Sequence, residues 1–517
     1  MSSFNGDLVQ LTNLGTSDVA GSGPGAGTGL NTGDLRRKYN FGDRVSELAI
    51  AQDPFFRFVS KVSKKPTDDP QFKFTEKRGS YHKRYAYIGA AKNASGTWVT
   101  TSDLGGTKAV DSEVSLRMLT DYKNSGNLQN VFGNTSSQIL IGASGTMPKF
   151  FLPNQLVKIP VATAAAGDVA DYMVIKLSSV TEYAASGSSS DDATGTSDNP
   201  DMVEIVGTVV KAPSTAANSQ YLTALANTDD QSTVSPADDV IHSELEQRRC
   251  YVVGTSHAEG SGYPETWKDQ PWSTNYGRTQ IWKTSMAMTN TARATNLKYE
   301  GNEWARVWKD KLIEHKYDME QSLLFGAQGT TSSGGTTVQY TQGAVDFVLN
   351  QGNAFSLTIA TKTADDFLDD LSSYLDPRYN NSKATVFFVN TAVYNWLHKL
   401  GGYFKNNLEV SSNFRADFAQ VGKKKILGVD ITVFSTPYGD LNVARNIHLD
   451  GTNIKLLGIN MKNCAYRPLV GNGLNRDTSV YVGVQTLENS GVDRRVDLIL
   501  TEAGMEWSMP ESHAVWK

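Results

Sequence analysis

Residues 276–326 read YGRTQIWKTSMAMTNTARATNLKYEGNEWARVWKDKLIEHKYDMEQSLLFG, an alternating stretch followed by a helical one. In the first part Trp282, Thr284, Met286 and Met288 recur at every second position, which puts them on one side of a β-strand. In the second, Trp304, Trp308, Leu312, His315, Met319 and Leu323 recur every three or four residues, the stripe of an amphipathic helix whose apolar face is expected to be buried. A narrower row runs through Ile313, Tyr317 and Leu324, while Arg306, Lys309, Asp310, Glu314 and Asp318 crowd the remaining surface. Asn302 can cap the start, Glu303 suits the positive end of the helix dipole, and Gly326 suits a left-handed stop. About 24 residues at about 1.5 Å each predict a rod of roughly 36 Å.

Composition sets the background for this rod. The chain has 517 residues, 39% hydrophobic and 20% charged, with 49 basic against 54 acidic side chains and a net charge of -5. That is enough apolar material for real cores and predicts two to four domains. The near-neutral balance argues against a protein whose main task is to grip phosphates. There is no run of about 18 apolar residues and no secretory start, so synthesis in a cytoplasm and no membrane span are expected. Cys250 and Cys464 stand far apart with no metal or redox spacing, which predicts reduced, structural thiols.

The charge is unevenly spread. Residues 131–240 hold four lysines, no arginine and 12 acidic residues, a local net of -8 that leaves +3 for everything else. With the strand-like stretches FLPNQLVKIPVAT, DYMVIKLSSVTEY and MVEIVGTVV, they read as a β-rich insertion whose soft segments are solvated loops. Residues 1–34 are Gly-, Ser- and Thr-rich, an arm that orders only against something else. In DRVSELAIAQDPFFRFV, Val45, Leu48 and Ala49 fit a short helix stopped by Pro54, and Phe55, Phe56 and Phe58 read as aromatics anchoring a segment onto a neighbouring surface. QFKFTEKRGSYHKRYAYI alternates Phe72 and Phe74 with Lys73 and Thr75, a strand with a positive wet face, whose return partner is expected in the stretch from Tyr251 to Thr295. Further on, TADDFLDDLSSYLDPRY predicts a helix with Phe367, Leu368, Leu371 and Leu375 on one side. ATVFFVNTAVYNWLHKLGG predicts a buried strand and a helix ending at Gly401, KKKILGVDITVFSTPYG an extended segment, and residues 478–507 two or three strands beside the rod.

Catalytic motifs are missing. The glycines of GSGPGAGTG fit no dinucleotide register, VGKKK departs from a phosphate loop at Asp417 and Lys424, and the acidic run Asp191 to Asp201 lacks EF-hand spacing. Ser256 and His257 are neighbours, so on a strand they point to opposite faces and form no nucleophile elbow. The seven histidines show no zinc spacing. No cofactor, metal or catalytic residue is predicted, and the chain is not expected to be an enzyme.

In order and texture the sequence resembles the major capsid proteins of tailed bacteriophages, of the Hong Kong 97 type. The resemblance rests on a polar arm, then DRVSELAIAQDPFFRFV, a long two-stranded loop bearing an insertion, and GRTQIWKTSMAMTNTARAT leading into EWARVWKDKLIEHKYDMEQSLLFG, followed by an α+β region. It implies an α+β, Hong Kong 97-like capsid fold. The implied layout is an N-terminal arm (1–70), the outgoing part of an extended loop (71–130), the acidic insertion (131–240), the returning part (241–295), spine helix and start of the peripheral domain (296–345), axial domain (346–470) and peripheral strands (471–517).

The function implied is a structural one: hexamers and pentamers of the chain in an icosahedral head shell around a tailed-phage genome, a virion capsid assembled in the host cytoplasm. Implied partners are further copies of the chain, portal and decoration proteins, packaged double-stranded DNA by weak non-specific contact, and no membrane. Nothing helical on the scale of a built-in scaffolding segment precedes Asp43, so a separate scaffold protein is expected. Arms and hairpins that cannot bury their own apolar face must bury it on a neighbour. The residues expected at that subunit interface are Phe55, Phe56, Phe58, Phe72, Phe74, Arg78, Arg84, Trp282, Trp304 and Trp308. An encapsulin-like compartment shell, and after it a multidomain cytosolic enzyme, are the alternatives.

Overall fold

The computed structural model describes residues 53–77, 84–93, 95–96, 98–99, 108–120, 147–162, 169–183, 201–213, 221–222, 249–264, 272–295, 303–375, 385–407, 419–426 and 429–517. The expectations for the arm and the helix before Pro54, for Arg78, for the Asn302 cap and for the acidic run 191–200 lie outside these residues. The described part is α+β. Residues 1–51 and 290–306 group as one unit, whose described part is a short helix, Asn290–Ala294, and the first turn of the rod, where Arg293 lies 5.9 Å over the Trp304 ring and Arg306 pairs with Glu303. The sheets, the barrel and the rod from Val307 onward belong to the other unit, 52–289 with 307–517.

Strand Thr279–Thr289 runs antiparallel to Arg494–Trp507, which pairs on its other side with Cys464–Pro468 and Ser479–Gln485 to make a four-stranded sheet. The predicted alternation holds: Trp282, Thr284 and Met286 are buried while Ile281, Lys283 and Ser285 are exposed. The rod is helix Glu303–Phe325, and its part beyond Val307 packs on the buried face. His315 sits between Thr284 (Nδ1 to Oγ1, 2.8 Å) and Thr501 (Nε2 to Oγ1, 2.8 Å), and the Trp282 indole donates to Ser322 Oγ at 3.0 Å. Only the second half of the stripe is buried, however. His315, Met319, Leu323 and Leu324 are covered, but Trp304, Trp308 and Leu312 stay partly exposed. Gly326 does not adopt the left-handed conformation either; it is needed because a Cβ there would lie 2.4 Å from the Ser322 carbonyl oxygen.

A second sheet has seven strands, in spatial order 353–355, 514–516, 456–460, 385–389, 439–445, 429–436 and 419–426. Strand Thr385–Val389 lies at its centre and is buried throughout, because its two faces feed different cores. Phe387 and Val389 join Phe367, Leu371, Tyr374 and Trp516 beneath helices Ala364–Tyr374 and Thr391–Asn407. The first of these helices carries a capping box between Thr363 and Asp366. The second continues through Gly401 and Gly402 to Asn407, since a glycine costs a helix about 1 kcal/mol without forbidding it. Val386 and Phe388 face a larger core shared with the rod, helix Ala344–Gln351 and helix Pro54–Val62.

That last helix departs from expectation. Pro54 opens it, since a proline fits the first helical position, where its missing N–H costs nothing. Phe55 is fully buried, edge-on to Phe388 (5.5 Å) and stacked with Trp507 (6.3 Å), and Phe58 packs on Phe388 (6.1 Å). These side chains are core of the chain itself. The segment continues as parallel bridges of Lys64 to Tyr466 and Thr67 to Leu469, extending the first sheet.

The long loop leaves from Lys73–Glu76, paired antiparallel with its return at Ser273–Tyr276. Beyond it, strands 85–92, 113–119, 202–211, 169–183, 155–162 and 250–255 pair in that order, and the last pairs again with the first. They close a barrel filled by Ile88, Leu116, Met118, Val157, Ile159, Met173, Ile175 and Ile205. Its strands run from residue 85 to 255, wider than the acidic stretch 131–240, because the loop's own outgoing and returning strands complete the ring. Cys250 is buried in it and Cys464 in the larger core; both are free thiols.

Replacing Phe55 with alanine empties a fully buried aromatic site, so the unassembled chain is expected to lose roughly 3–5 kcal/mol of stability. Urea denaturation of the subunit measures this. A chain stabilised by Phe55 only through neighbours would show no change before assembly.

Candidate functional site

Among the described residues no group of three or more His, Cys, Asp or Glu is placed to hold a metal ion. The buried titratable groups are tied into the scaffold instead. His513 is fully buried; its Nδ1 accepts from the Asn460 N–H (3.3 Å) and its Nε2 donates to the Ser508 carbonyl (3.1 Å), so the ring is neutral, and burial holds its pKa down to about 4. Burial likewise lowers His315 and pushes the Cys464 thiol up to about 12. All three side chains are buried.

The strongest polar node is Glu320, fully buried on the rod. Its Oε1 accepts from the Phe55 N–H (3.1 Å) and from Asn446 Nδ2 (3.0 Å), and its Oε2 from the Phe56 N–H (2.6 Å). A carboxylate 265 residues away therefore caps helix Pro54–Val62, whose own N-cap Asp53 makes no capping bond and pairs with Arg57 at 2.5 Å. Asn446 follows strand Gly439–Arg445, so one side chain ties the rod, the amino-terminal helix and the seven-stranded sheet together. Burial pushes the carboxyl up to about 7 against the pull of its three donors.

The surface tells a different story at the free edge of the four-stranded sheet. Among the described residues, strand Ser479–Gln485 pairs only with Arg494–Trp507, and it exposes Val480 (39%), Tyr481 (39%), Val482 (63%) and Val484 (47%). An exposed apolar edge strand is a template for association. A separate hairpin, Gly329–Ser333 with Thr336–Tyr340, turns on Gly334 and Gly335, both with positive φ, and exposes Val338 and Tyr340.

The residues expected at an interface are scattered over the fold. Phe55 and Phe58 lie in the core, and Phe72 packs against Gly277 and Gly504, where a Cβ would lie 2.4 Å and 3.0 Å from its ring. Phe74 is buried on the loop's first strand, and Trp282 lies under the rod. Phe56 is half-buried against Tyr466 (5.7 Å), Trp304 and Trp308 are half-buried on the rod, and Arg84 is exposed at the barrel. Sequence reasoning placed strand Ser479–Gln485 among the strands beside the rod but missed its exposed free edge, and it missed Glu320. The available signals were an acid beside Met319 on the buried stripe, and VYVGV, apolar on both sides of a strand.

A sequence model of the family described as SU10 major capsid protein matches residues 25–517. No curated protein matches the chain. Similar solved structures include a chain from Mycobacterium phage Patience (10% identity, TM-score 0.35, covering 51% of this chain and 76% of that one) and the capsid of Myoviridae phage XM1 (10%, 0.32, 51% and 81%). A virus-like particle from Pyrococcus furiosus is similar at 11% identity and a TM-score of 0.28, covering 47% and 78%. At such scores the structural likeness carries no weight by itself, and the family match alone makes the assignment.

Glu320 gives a pH test with a definite sign. Its folded pKa of about 7 lies above the ordinary value of 4.5, so between these pH values the folded chain binds the extra proton. Its contribution is full below pH 4.5 and is lost as pH rises through 7, a swing of about 3 kcal/mol. His513 works oppositely, gaining stability as pH rises from about 4 to 6.5. The difference between wild type and Glu320→Gln isolates the carboxylate. The variant, with an amide N–H facing the Phe56 N–H, is expected to be less stable by roughly 1–3 kcal/mol at pH 5, with the gap narrowing toward pH 8. Denaturation series at the two pH values check this.

Proposed function

The chain belongs to the SU10 major capsid protein family, and from that premise we propose how its parts divide the work of building a phage head. It is a structural protein of the virion shell that self-assembles with copies of itself, and not an enzyme. We assign the contacts between copies to the open edge of the rod-backed sheet. The observation that carries this is the row Val480, Tyr481, Val482 and Val484, four exposed apolar residues on an unpaired edge. Soluble chains blunt such edges with lysine, proline or a bulge; this strand carries neither lysine nor proline, and its register is interrupted between Tyr481 and Gln485, which leaves Val480, Tyr481, Val482 and Val484 exposed.

In the same proposal the copies cluster as hexamers and pentamers. The axial domain is assigned to the seven-stranded sheet, residues 346–460 with 514–517, and the peripheral one to residues 296–345 and 464–513. The expected bounds 346–470 and 471–517 shift because Cys464–Pro468 pairs in the rod-backed sheet and Ala514–Trp516 in the other, and the expected arm 1–70 shortens to 1–52 because helix Pro54–Val62 is part of the core. The loop of residues 71–130 and 241–295 holds the barrel out from the body, and the barrel serves as a clamp or decoration. Phe56, Arg84, Trp304 and Trp308, which keep exposed surface, are assigned to neighbouring copies. A separate scaffold, a portal and decoration proteins complete the head, assembly takes place in the host cytoplasm, and DNA is packaged against a nearly neutral chain that holds it weakly. The family match favours a phage head over a bacterial compartment shell.

Negative-stain microscopy of the purified chain, alone and with a scaffold, is expected to show closed shells; a discrete small oligomer under all conditions would contradict the proposal. Val482→Asp changes an exposed side chain, so the subunit's stability is expected to move by no more than about 0.5 kcal/mol. Shell yield in sedimentation is expected to fall roughly tenfold or more, the effect of about 1.4 kcal/mol lost from a contact. Unchanged yield would remove the edge strand from the interface.

A further inference from the structure

The rod-backed sheet carries exposed apolar patches at two opposite ends. One is the tip joining Ser479–Gln485 to Arg494–Trp507, where Val484 (47%), Leu487 (52%) and Val492 (46%) are exposed around the exposed acid Glu488. This tip is held in shape: Thr486 and Asn489 form a capping box, and Gly491 closes the turn with φ 70. The other patch is at the start of strand Thr279–Thr289. There Ile281 (48%) and Lys283 are exposed on the face away from the rod, beside Tyr276 (44%), whose ring lies 5.6 Å from the Arg278 guanidinium.

The register separates the two. Thr279 pairs with Gly504 and Thr289 with Arg494, so Tyr276 and Ile281 lie at the far end of the long central strand from the tip. Strands Thr279–Thr289 and Ser479–Gln485 also flank that strand on opposite sides. One patch is apolar and acidic, the other apolar and basic, and a single rigid sheet cannot bring them together.

We infer that in the shell the tip 484–492 of one copy docks on residues 276–283 of the next copy, head to tail. This rests on the shell-forming reading above and names the surfaces it uses. The apolar side chains are buried in the contact, while Glu488 meets Lys283 and Arg278. Exposed charges of this kind select the partner surface and its orientation more than they add affinity. Tip-to-tip docking would instead set Glu488 against Glu488, a like-charge contact that works against that arrangement. Because the two patches differ, every copy gives one and receives one, a heterologous contact that in a closed shell joins copies around a ring.

The test uses assembled particles of the full chain carrying Leu487→Cys with Ile281→Cys, treated with a short bismaleimide. The native thiols Cys250 and Cys464 are buried and do not react. A ladder from dimer upward is expected on a denaturing gel from particles, with monomer only from dissociated subunits and from particles of either single variant. Dimers from Leu487→Cys alone would show that tips meet tips, and monomer from well-formed double-variant particles would show that the patches are not in contact; either overturns the inference and leaves the shell reading standing. Absence of particles from the wild-type chain is the separate result that removes the shell reading itself.

Discussion

The fold turns on a buried carboxyl group that caps a helix it is not part of. Glu320 lies on the rod and its donors lie on Phe55 and Phe56 of helix Pro54–Val62 and on Asn446, so one side chain joins three parts far apart in the chain. A helix of nine residues has no stability of its own in water. Helix Pro54–Val62 persists because Phe55 and Phe58 fill the core between the two sheets and Glu320 satisfies its first free N–H groups. The cost of burying the carboxyl, seen in its raised pKa, is offset by the three donors and by the positive end of the helix. What the node secures is position: helix Pro54–Val62, the rod at Glu320 and the seven-stranded sheet meet at one side chain.

The molecule handles its strand edges in two ways, and the contrast locates the assembly surface. The barrel pairs each of its six ring strands on both sides, so its backbone presents no continuous template to a neighbour. The rod-backed sheet stays open at Ser479–Gln485 with valines on display. A closed module set out on a loop and an open sheet backed by a rod suit a protein that must associate along one direction without aggregating along others.

Much of this was legible in the sequence. The period of two over Trp282, Thr284 and Met286 gave the strand and its buried face, the period of three to four gave the rod, and TVFFV gave a strand covered on both sides. These are local signals, each set by one element meeting one core. What escaped is non-local. Phe55 and Phe58 read as aromatics for a neighbour because their cap and their pocket come from residues hundreds of positions later. The stripe on the rod ended its burial near His315 because the sheet beneath covers only half of it, and periodicity does not report the length of the partner. Closure of the barrel depended on strands 85–92 and 250–255 finding each other across the whole insertion.

Amide hydrogen exchange on the unassembled chain tests the central claim most directly. If Glu320 and the shared core hold helix Pro54–Val62 within its own subunit, the amides of Phe55 and Phe56 exchange as slowly as those of strand Arg494–Trp507 before any shell forms, and they become fast selectively in Glu320→Ala. Exchange at the rate of an unstructured peptide, slowing only when particles assemble, would show that the helix belongs to a neighbour and would contradict the account.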